Sequence, residues 1–345
     1  MKSRIWRFNL KLTHTWRIAR GSGTSDFPVV FFELTDKDSR TGLGESAPIM
    51  RYEETVETVE AFLTHVDASK LSFADVPGSM KYLDTIAPGQ HAAKCAVNIA
   101  LLDGAAKLAG QPVCDFLKLG FTEKKHLTSF SIGIDTPDII REKVREAARY
   151  PVLKLKVGVP GDEANFAALR EVAPTKPVRV DANEGWTTKE DALRNIERLH
   201  RDGHIQFIEQ PMPSTTPVAD WAWLKQRSPL PIYGDESYHG AADAPRAAEC
   251  FHGVNVKLVK TAGISGAFDA LSAARRLGLK TMIGCMIESS VLISAAAHLA
   301  ELADHLDIDG NLLVSNDPYA GATGENGVIS FATAVEKTGL RAKAR

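Results

Sequence analysis

The sequence predicts an α/β protein in which a (β/α) barrel follows a smaller α+β domain. After Leu127, short β-like stretches alternate with amphipathic helices about 25 residues apart, a rhythm typical of parallel strands. Before that point, strand-like stretches come first and helices follow. The chain has 345 residues, whereas one barrel uses roughly 200 to 250, so a second domain is expected.

The first domain is predicted from alternating stretches and helical periodicity. Its expected elements are strands at 4–12, at 28–34 and from 41, and helices at 53–65 and 92–108. The second helix ends before Gly110 and Pro112, which is a strong stop signal. A long polar loop is expected from Thr13 to Phe27, so the strands should form an antiparallel meander.

Eight β-like stretches follow in succession, which favours a closed barrel over an open doubly wound sheet. They are Leu127–Gly133, Val152–Val157, Val178–Asp181, Ile205–Glu209, Ile232–Asp235, Val254–Val259, Lys280–Gly284 and Leu306–Asp309. Thr187 and Glu190 have the spacing of a capping box before one of the intervening helices. We therefore divide the chain into a capping domain (1–120), a barrel (121–315) and a C-terminal segment (316–345) that packs back on the capping domain.

Composition excludes several classes of function. Hydrophobic residues make up 44% of the chain and charged residues 24%, and the formal net charge is -2. Such a balance does not attract nucleic acid or a membrane surface, and no apolar stretch approaches the roughly 20 residues that cross a bilayer. The N-terminus lacks a long apolar signal region, and the four cysteines show no CxxC spacing. We expect a cytoplasmic protein with reduced thiols.

Three acidic residues lie at the ends of three successive strands: Asp181, Glu209 and Asp235. One acid in such a place is usually a turn residue or a helix cap. Three at equivalent ends are better explained by convergence at the C-terminal mouth of a barrel. Hard oxygen ligands of this number suit Mg²⁺ or Mn²⁺.

Lysines flank these acids along the chain. Lys154 and Lys156 are two residues apart on one strand and face the same side, where each should lower the pKa of the other. Lys257 lies four strands further round the ring and should face Lys156 across the mouth. Lys260 is the alternative on that stretch, but its odd offset turns it to the other face. Two opposed amines beside a metal indicate proton transfer on a carboxylate substrate.

Other signals are weaker. No GxGxxG opens a strand–helix unit, so no dinucleotide cofactor is expected. Glu288, after the seventh stretch, either lines the mouth or merely begins a helix, and the sequence favours neither interpretation.

Taken together, these motifs resemble the enolase superfamily, specifically its muconate-lactonizing-like subgroup, over almost the whole chain. The motifs are Lys154-x-Lys156, Asp181-Ala182-Asn183, Glu209-Gln210-Pro211, Asp235-Glu236-Ser237 and Val256-Lys257. The resemblance implies a modified (β/α)7β TIM-type barrel with an N-terminal α+β capping domain. It also implies a Mg²⁺ cofactor, with Lys156 and Lys257 as the catalytic bases.

Within that subgroup the chain is most similar to dipeptide epimerases of the L-Ala-D/L-Glu type, which the resemblance links to cell wall peptides. Asp307 and Asp309 match the acidic pair that holds a dipeptide's ammonium group. Arg20, or alternatively Arg17, falls where such enzymes carry an arginine for a glutamate side chain. Another side-chain preference, an N-acylamino acid racemase, an o-succinylbenzoate synthase, a cycloisomerase and a non-catalytic metal-binding barrel remain alternatives. Association into a homo-oligomer is left open.

Overall fold

The computed structural model describes residues 1–21 and 23–345. Its two main sheets are an antiparallel sheet of three strands at the N-terminus and a parallel sheet of eight strands. The predicted combination of an α+β capping domain and a (β/α) barrel is confirmed. The domain limits themselves stay a prediction.

The capping sheet consists of β1 (Lys2–Trp16), β2 (Thr24–Thr35) and β3 (Thr41–Ser46), in that order. The long loop predicted from Thr13 to Phe27 is wrong, because β1 and β2 continue beyond their apolar parts and pair as far as Trp16 and Thr24. These extensions are mostly exposed on both faces, so they carry no hydrophobic alternation that could reveal a strand. The actual connection is a short hairpin tip, and its residue Ser22 lies outside the described residues.

The capping helices pack on one side of this sheet. They are α1 (Val56–Thr64), α2 (Val76–Ile86), α3 (His91–Leu108) and α4 (Val113–Phe116). Strand β3 lies so close to α3 that a Cβ on Gly44 would come within 1.9 Å of the Ala96 carbonyl oxygen. Glycine is therefore required there by packing.

The barrel strands match the eight predicted stretches. They are β4 (Phe130–Ile132), β5 (Leu153–Lys156), β6 (Val178–Asp181), β7 (Ile205–Glu209), β8 (Ile232–Gly234), β9 (Gly253–Lys257), β10 (Lys280–Gly284) and β11 (His305–Asp307). Neighbours along the chain pair in parallel from β4 to β11. A bridge between Thr128 and Leu306 joins the two ends of the sheet and closes the ring.

Seven helices connect these strands, which makes a (β/α)7β barrel. They are α5 (Pro137–Glu146), α6 (Asp162–Val172), α7 (Lys189–His200), α8 (Val218–Arg227), α9 (Ala244–Cys250), α10 (Ile264–Arg276) and α11 (Ser290–Ala297), and a short α12 (Gly310–Leu313) follows β11. The predicted cap of α7 is one residue off, since Thr188 accepts the hydrogen bond from Asp191 N.

The capping domain is anchored to the barrel by a buried carboxyl group. Glu45, at the end of β3, accepts hydrogen bonds from the backbone nitrogens of Ser289 (2.8 Å) and Leu292 (3.0 Å) and from the Ser289 hydroxyl. These donors lie at the start of α11, where backbone N–H groups have no partner within the helix. Glu45 thus caps a barrel helix from the other domain.

The C-terminal segment contacts both domains. It contains β12 (Tyr319–Ala320) and β13 (Lys343–Ala344). Leu340 N donates to Asp103 of α3 at 2.8 Å, and the Tyr319 ring lies 5.0 Å from that of Phe31. These contacts support the predicted return to the capping domain. No helix in the described part of the chain is long and apolar enough to cross a membrane.

The two ends of the barrel differ in chemistry. Alternate strand residues face inward, so Phe207 and Tyr233 lie one layer below Glu209 and Asp235. We call the strand-starting end with Phe207, Tyr233, Met282 and His305 the foot. Phe207 and Tyr233 stack at 4.2 Å, and His305 lies 5.2 Å from Phe207. The opposite end, where the strands finish, is the mouth.

Candidate active site

A cavity of about 550 Å³ lies between the mouth and the capping loops. Its barrel wall includes side chains from β5, β9 and β11, among them Lys154, Lys156, Lys257 and Asp307. Its roof comes from the hairpin tip and from a 3-10 turn at Met50–Tyr52. The volume is in the range of small-molecule sites, which span about 300–1,000 Å³.

The three predicted metal acids come together on neighbouring strands. Asp181 pairs in register with Lys156 on one side and Glu209 on the other, and Asp235 directly follows β8. All three are fully buried. Glu209 Oε1 accepts from Asn255 Nδ2 at 2.8 Å, so one oxygen of that carboxylate already has a partner.

Lys154 lies between these acids. Its Nζ is 2.6 Å from Asp307, 2.8 Å from Glu209 and 3.1 Å from Asp181. Because an unpaired buried charge is costly, this ammonium group balances part of the acidic cluster. It occupies the centre of the floor of the cavity.

Lys156 and Lys257 each pair with one acid and line the same cavity. Lys156 Nζ is 2.6 Å from Asp181 Oδ2, and Lys257 Nζ is 2.8 Å from Asp235 Oδ2. They stand on β5 and β9, four strands apart in a ring of eight. Trp16 of the capping domain covers the first lysine, with Nζ 5.8 Å from its ring centre.

The acids respond differently to burial. Burial raises the pKa of Asp181, but the charges of Lys156 and Lys154 outweigh it and hold that pKa well below its usual range. Burial also raises the pKa of Asp235, but the charges of Lys257 and Lys260 outweigh it. The pKa of Asp235 therefore lies well below its usual range. For Glu209, burial and the nearby Asp181 charge prevail and raise the pKa to about 7.

Lys154 does not behave as the sequence argument predicted. Burial lowers the pKa of Lys154, but the charges of Asp307, Glu209 and Asp181 raise it well above its ordinary value. Asp235 has the same effect on the pKa of Lys257. The reason is that acids lie closer to the ammonium groups of Lys154 and Lys257 than another lysine does.

The predicted ammonium-binding pair also lines the cavity. Asp307 is engaged by Lys154 and by the Ser129 hydroxyl at 2.6 Å. Asp309 Oδ2 accepts from Ser131 N at 2.6 Å, and its Oδ1 lies 3.9 Å from the Cys285 sulfur. Burial, and next the charge of Asp307, raise the pKa of Asp309 to about 7. Unlike Asp307, which forms an ion pair with Lys154, Asp309 forms no ion pair with a lysine or arginine of the described residues.

Arg20 reaches from the hairpin tip onto the barrel, where it meets internal acids. Its Nη1 donates to Asn183 O at 3.0 Å and to Glu184, and its Nη2 donates to Glu236 at 2.7 Å. Arg51, from the other capping loop, binds both oxygens of Glu184 at 2.9 Å. Although burial raises the pKa of Glu184, its hydrogen bonds with Arg51 and Ser214 N and the nearby Arg20 charge hold it below the usual range.

Three further predictions have mixed outcomes. Glu288 is fully buried and accepts from Met286 N at 2.8 Å; it does not line the cavity, so a position before a helix describes it better than a place at the mouth. Lys260 also stays out of the cavity, but its Nζ still reaches Asp235 at 2.6 Å because the turn bends back beneath β8. Arg17 lines the cavity as an exposed residue.

Sequence reasoning missed the residues that close the site. Trp16, Arg51, Glu184 and Glu236 were given no role, although two of them directly follow the metal motifs. Glu184 and Glu236 directly follow Asn183 and Asp235 in the sequence, and this position was the signal that could have identified them.

The acids fit a divalent cation by donor chemistry. They offer hard carboxylate oxygens, and Glu209 Oε2 and Asp235 Oδ2 are buried without a well-aligned hydrogen bond. Buried acceptors of this kind need a positive neighbour, either a metal cation or an ammonium group. Among the described residues no ready cage of three acidic, His or Cys ligands is formed, and lysine nitrogens lie 2.8 Å from both of those oxygens.

The fold and this site define a member of a known enzyme class. A family model described as "Enolase C-terminal domain-like" matches residues 139–325, more than half of the chain. The chain therefore belongs to this family of the enolase superfamily.

Named relatives narrow the class. The chain is 60% identical, over 100% of both chains, to an L-Ala-D/L-amino acid epimerase of Pedosphaera parvula (strain Ellin514). It is 39% identical, over 96% of this chain and 85% of the relative, to an L-Ala-D/L-Glu epimerase of Bacteroides thetaiotaomicron. Its fold matches a crystal structure of a dipeptide epimerase from Enterococcus faecalis V583 complexed with Mg and L-Leu-L-Tyr, with a TM-score of 0.89, 27% identity and 99% of each chain covered. The chain is accordingly an isomerase of the epimerase kind.

Proposed function

We propose that the chain is a Mg²⁺-dependent dipeptide epimerase that inverts the α-carbon of the C-terminal residue by two-base proton transfer. The single observation that carries this proposal is the pair Lys156 and Lys257, which line one cavity from opposite sides of the barrel. Binding alone does not need an amine on both faces of a ligand, whereas inversion of a stereocentre does.

Asp181, Glu209 and Asp235 would hold the cation, with Mn²⁺ as a substitute. When bound, a divalent cation supplies Lewis-acid stabilisation of the charge that develops on the substrate's carboxylate. The donor set of three buried carboxylates on neighbouring strands supports this role. The named Enterococcus relative complexed with Mg supports it as well.

The two lysines would divide the proton transfer between them. Lys156 removes the α-proton from one face, which leaves a planar enediolate. Lys257, held protonated beside Asp235, donates a proton to the other face, and the roles exchange in the reverse direction. Trp16 and the hairpin tip exclude water, so that the proton at each Nζ passes to carbon rather than to solvent.

The dipeptide's ammonium group would bind at Asp309. Asp309 lines the cavity and has no lysine or arginine partner among the described residues, and Asp307 adds negative charge beside it. This acidic end favours a substrate with a free amine and disfavours the succinylbenzoate chemistry of the same superfamily. The predicted L-Ala-D/L-Glu preference depends on Arg20 and is treated separately below.

A solvent-exchange assay tests the proposal. Mixed L-Ala-L-Xaa dipeptides are incubated with the enzyme and Mg²⁺ in D₂O, and mass gain is followed by spectrometry. We expect deuterium at the α-carbon of the second residue together with appearance of the L,D isomer. Absence of incorporation from every dipeptide would reject the epimerase proposal in favour of another reaction of the superfamily or of a binding protein.

A further inference from the structure

The charged groups of the capping loops are already balanced by the barrel. Arg20 and Arg51 are the cationic side chains with which the two loops face the barrel, and both meet Glu184. Glu236 takes the second terminal nitrogen of Arg20. These two acids are almost buried, with 8% and 2% of their side chains exposed. Two cations thus face two anions.

Because these charges pair with one another, Arg20 and Arg51 offer little unpaired positive charge to an acidic substrate side chain. To bind Arg20, a glutamate side chain would have to displace Glu236, which would leave that buried carboxylate without its ion pair. Glu184 would keep its bonds to Arg51 and Ser214 N. A cationic side chain would meet acids that are already paired. Arg17, the other arginine of the tip, pairs with no acid among the described residues, but it is exposed and a solvated charge contributes little.

The rest of the roof is apolar. Ile18, Ile49 and Tyr52 line the cavity from the capping side, and Ile287 lines it from the barrel. Met50 lines it too and is 71% exposed. Exposed large apolar side chains around a cavity mark binding surfaces, and methionine adapts to apolar groups of different shapes.

We propose that this cavity selects dipeptides whose second residue is uncharged and apolar, with Glu184 and Glu236 as specificity-determining residues that keep Arg20 from the substrate. The proposal deepens the function above and rests on it. The α-carbon between Lys156 and Lys257 and the amine at Asp309 leave the roof as the place for the second side chain.

The wild-type enzyme gives the first test. We expect kcat/KM for L-Ala-L-Leu and L-Ala-L-Met to exceed that for L-Ala-L-Glu and L-Ala-L-Lys by about tenfold or more. A preference for L-Ala-L-Glu would overturn the specificity proposal while leaving the epimerase intact. Turnover of no dipeptide at all would overturn both.

Two charge changes test the cause. In Glu184→Gln the arginines lose a partner, so the Leu/Glu ratio of kcat/KM should fall about tenfold. In Arg20→Met the acids lose a partner, so the Lys/Leu ratio should rise about tenfold. The matched control Glu171→Gln breaks an exposed ion pair with Arg141 away from the cavity and should leave both ratios unchanged.

The opposite results are equally informative. If Arg20→Met selectively abolished L-Ala-L-Glu turnover and left the Lys/Leu ratio unchanged, Arg20 would bind the substrate and the proposal would be wrong. Ratios in Glu184→Gln equal to those of the control would also reject it. Circular dichroism melting curves identify a misfolded variant, and the wild-type ratios decide the proposal without any variant.

Discussion

The mouth and the foot of the barrel are built from the same strands but differ in charge and in hydrogen bonding. At the foot, Phe207, Tyr233 and Met282 form a buried apolar cluster, and the guanidinium of Arg179 packs 5.5 Å from the centre of the Phe207 ring. At the mouth, two residues further along these strands, buried acids and ammonium groups crowd together, and two carboxylate oxygens lack a well-aligned hydrogen bond.

Backbone strain follows the same division. Asn183, Glu184 and Gln210 follow β6 and β7 at the mouth with φ values of 42°, 68° and 34°, a region that non-glycine residues seldom adopt. Strain and unsatisfied charge persist only where surrounding structure enforces them, and they cluster at functional sites. The foot therefore stabilises the barrel, whereas the mouth carries backbone strain and crowded charge that lower its stability.

The largest expected effect is at the mouth lysines. Lys156→Ala and Lys257→Ala should each reduce epimerisation about 10²–10⁴-fold, the contribution of a positioned acid or base, with little change in melting temperature. Each variant should retain α-hydrogen exchange from only one stereoisomer, measured in D₂O. Lys280→Ala, an exposed lysine that begins β10 at the foot, serves as the control. Undiminished turnover in both mouth variants would refute the two-base assignment.

Metal removal comes next. A chelator should abolish turnover and added Mg²⁺ should restore it, because the mouth acids would then regain their counter-charge. Calorimetry should detect Mg²⁺ binding to the wild type, and Glu209→Gln should weaken it about tenfold or more because a charged ligand is lost. Full activity in the presence of chelator would show that Lys154 and its neighbours suffice to balance the acids.

The foot should show the reverse pattern. Phe207→Ala removes a ring that is 1% exposed and should cost about 3–5 kcal/mol of unfolding free energy. At 25 °C the folded fraction should keep kcat and KM within about twofold of wild type, since the ring lies below the site. Denaturant unfolding and steady-state kinetics measure the two quantities. A large kinetic defect without loss of stability would break the division between foot and mouth.

The smallest effect concerns Glu288, which lies before α11 outside the cavity and is fully buried, as the foot residues are. Burial raises its pKa to about 8 from an ordinary 4.5. A folded-state pKa above the unfolded value means that its contribution to stability is present below about pH 4.5 and is lost as pH rises through about 8. Between about pH 4.5 and pH 8, the melting temperature of Glu288→Gln should therefore fall less than that of the wild type, by about 2 °C or more. Exposed Glu325→Gln should keep the wild-type pH dependence, and an identical profile for both would count against burial as the cause.

Features that repeat along the chain were predictable from the sequence. Eight strands, Asp181, Glu209 and Asp235 at their ends, and lysines two residues apart all follow from periods that a single sequence displays. The barrel geometry then brings these residues together without further information.

Features that join distant segments were not predictable. Arg20 and Glu184 are 164 residues apart, and no local pattern indicates that they pair. The hairpin extension of β1 and β2 was missed because its faces are both polar. The pKa of Lys154 was misjudged because the distances from its Nζ to three acids depend on the closed ring.

The contact of Glu45 with α11 has a consequence for how new substrates could be accommodated. Rotating the whole capping domain would withdraw three donors from a carboxyl group that has no access to water. Rotation of the whole capping domain therefore carries a heavy penalty, whereas the tip between Trp16 and Thr24 is not part of this anchor. Grafting that tip from a relative would change the residues over the cavity while the contact of Glu45 with α11 stays in place.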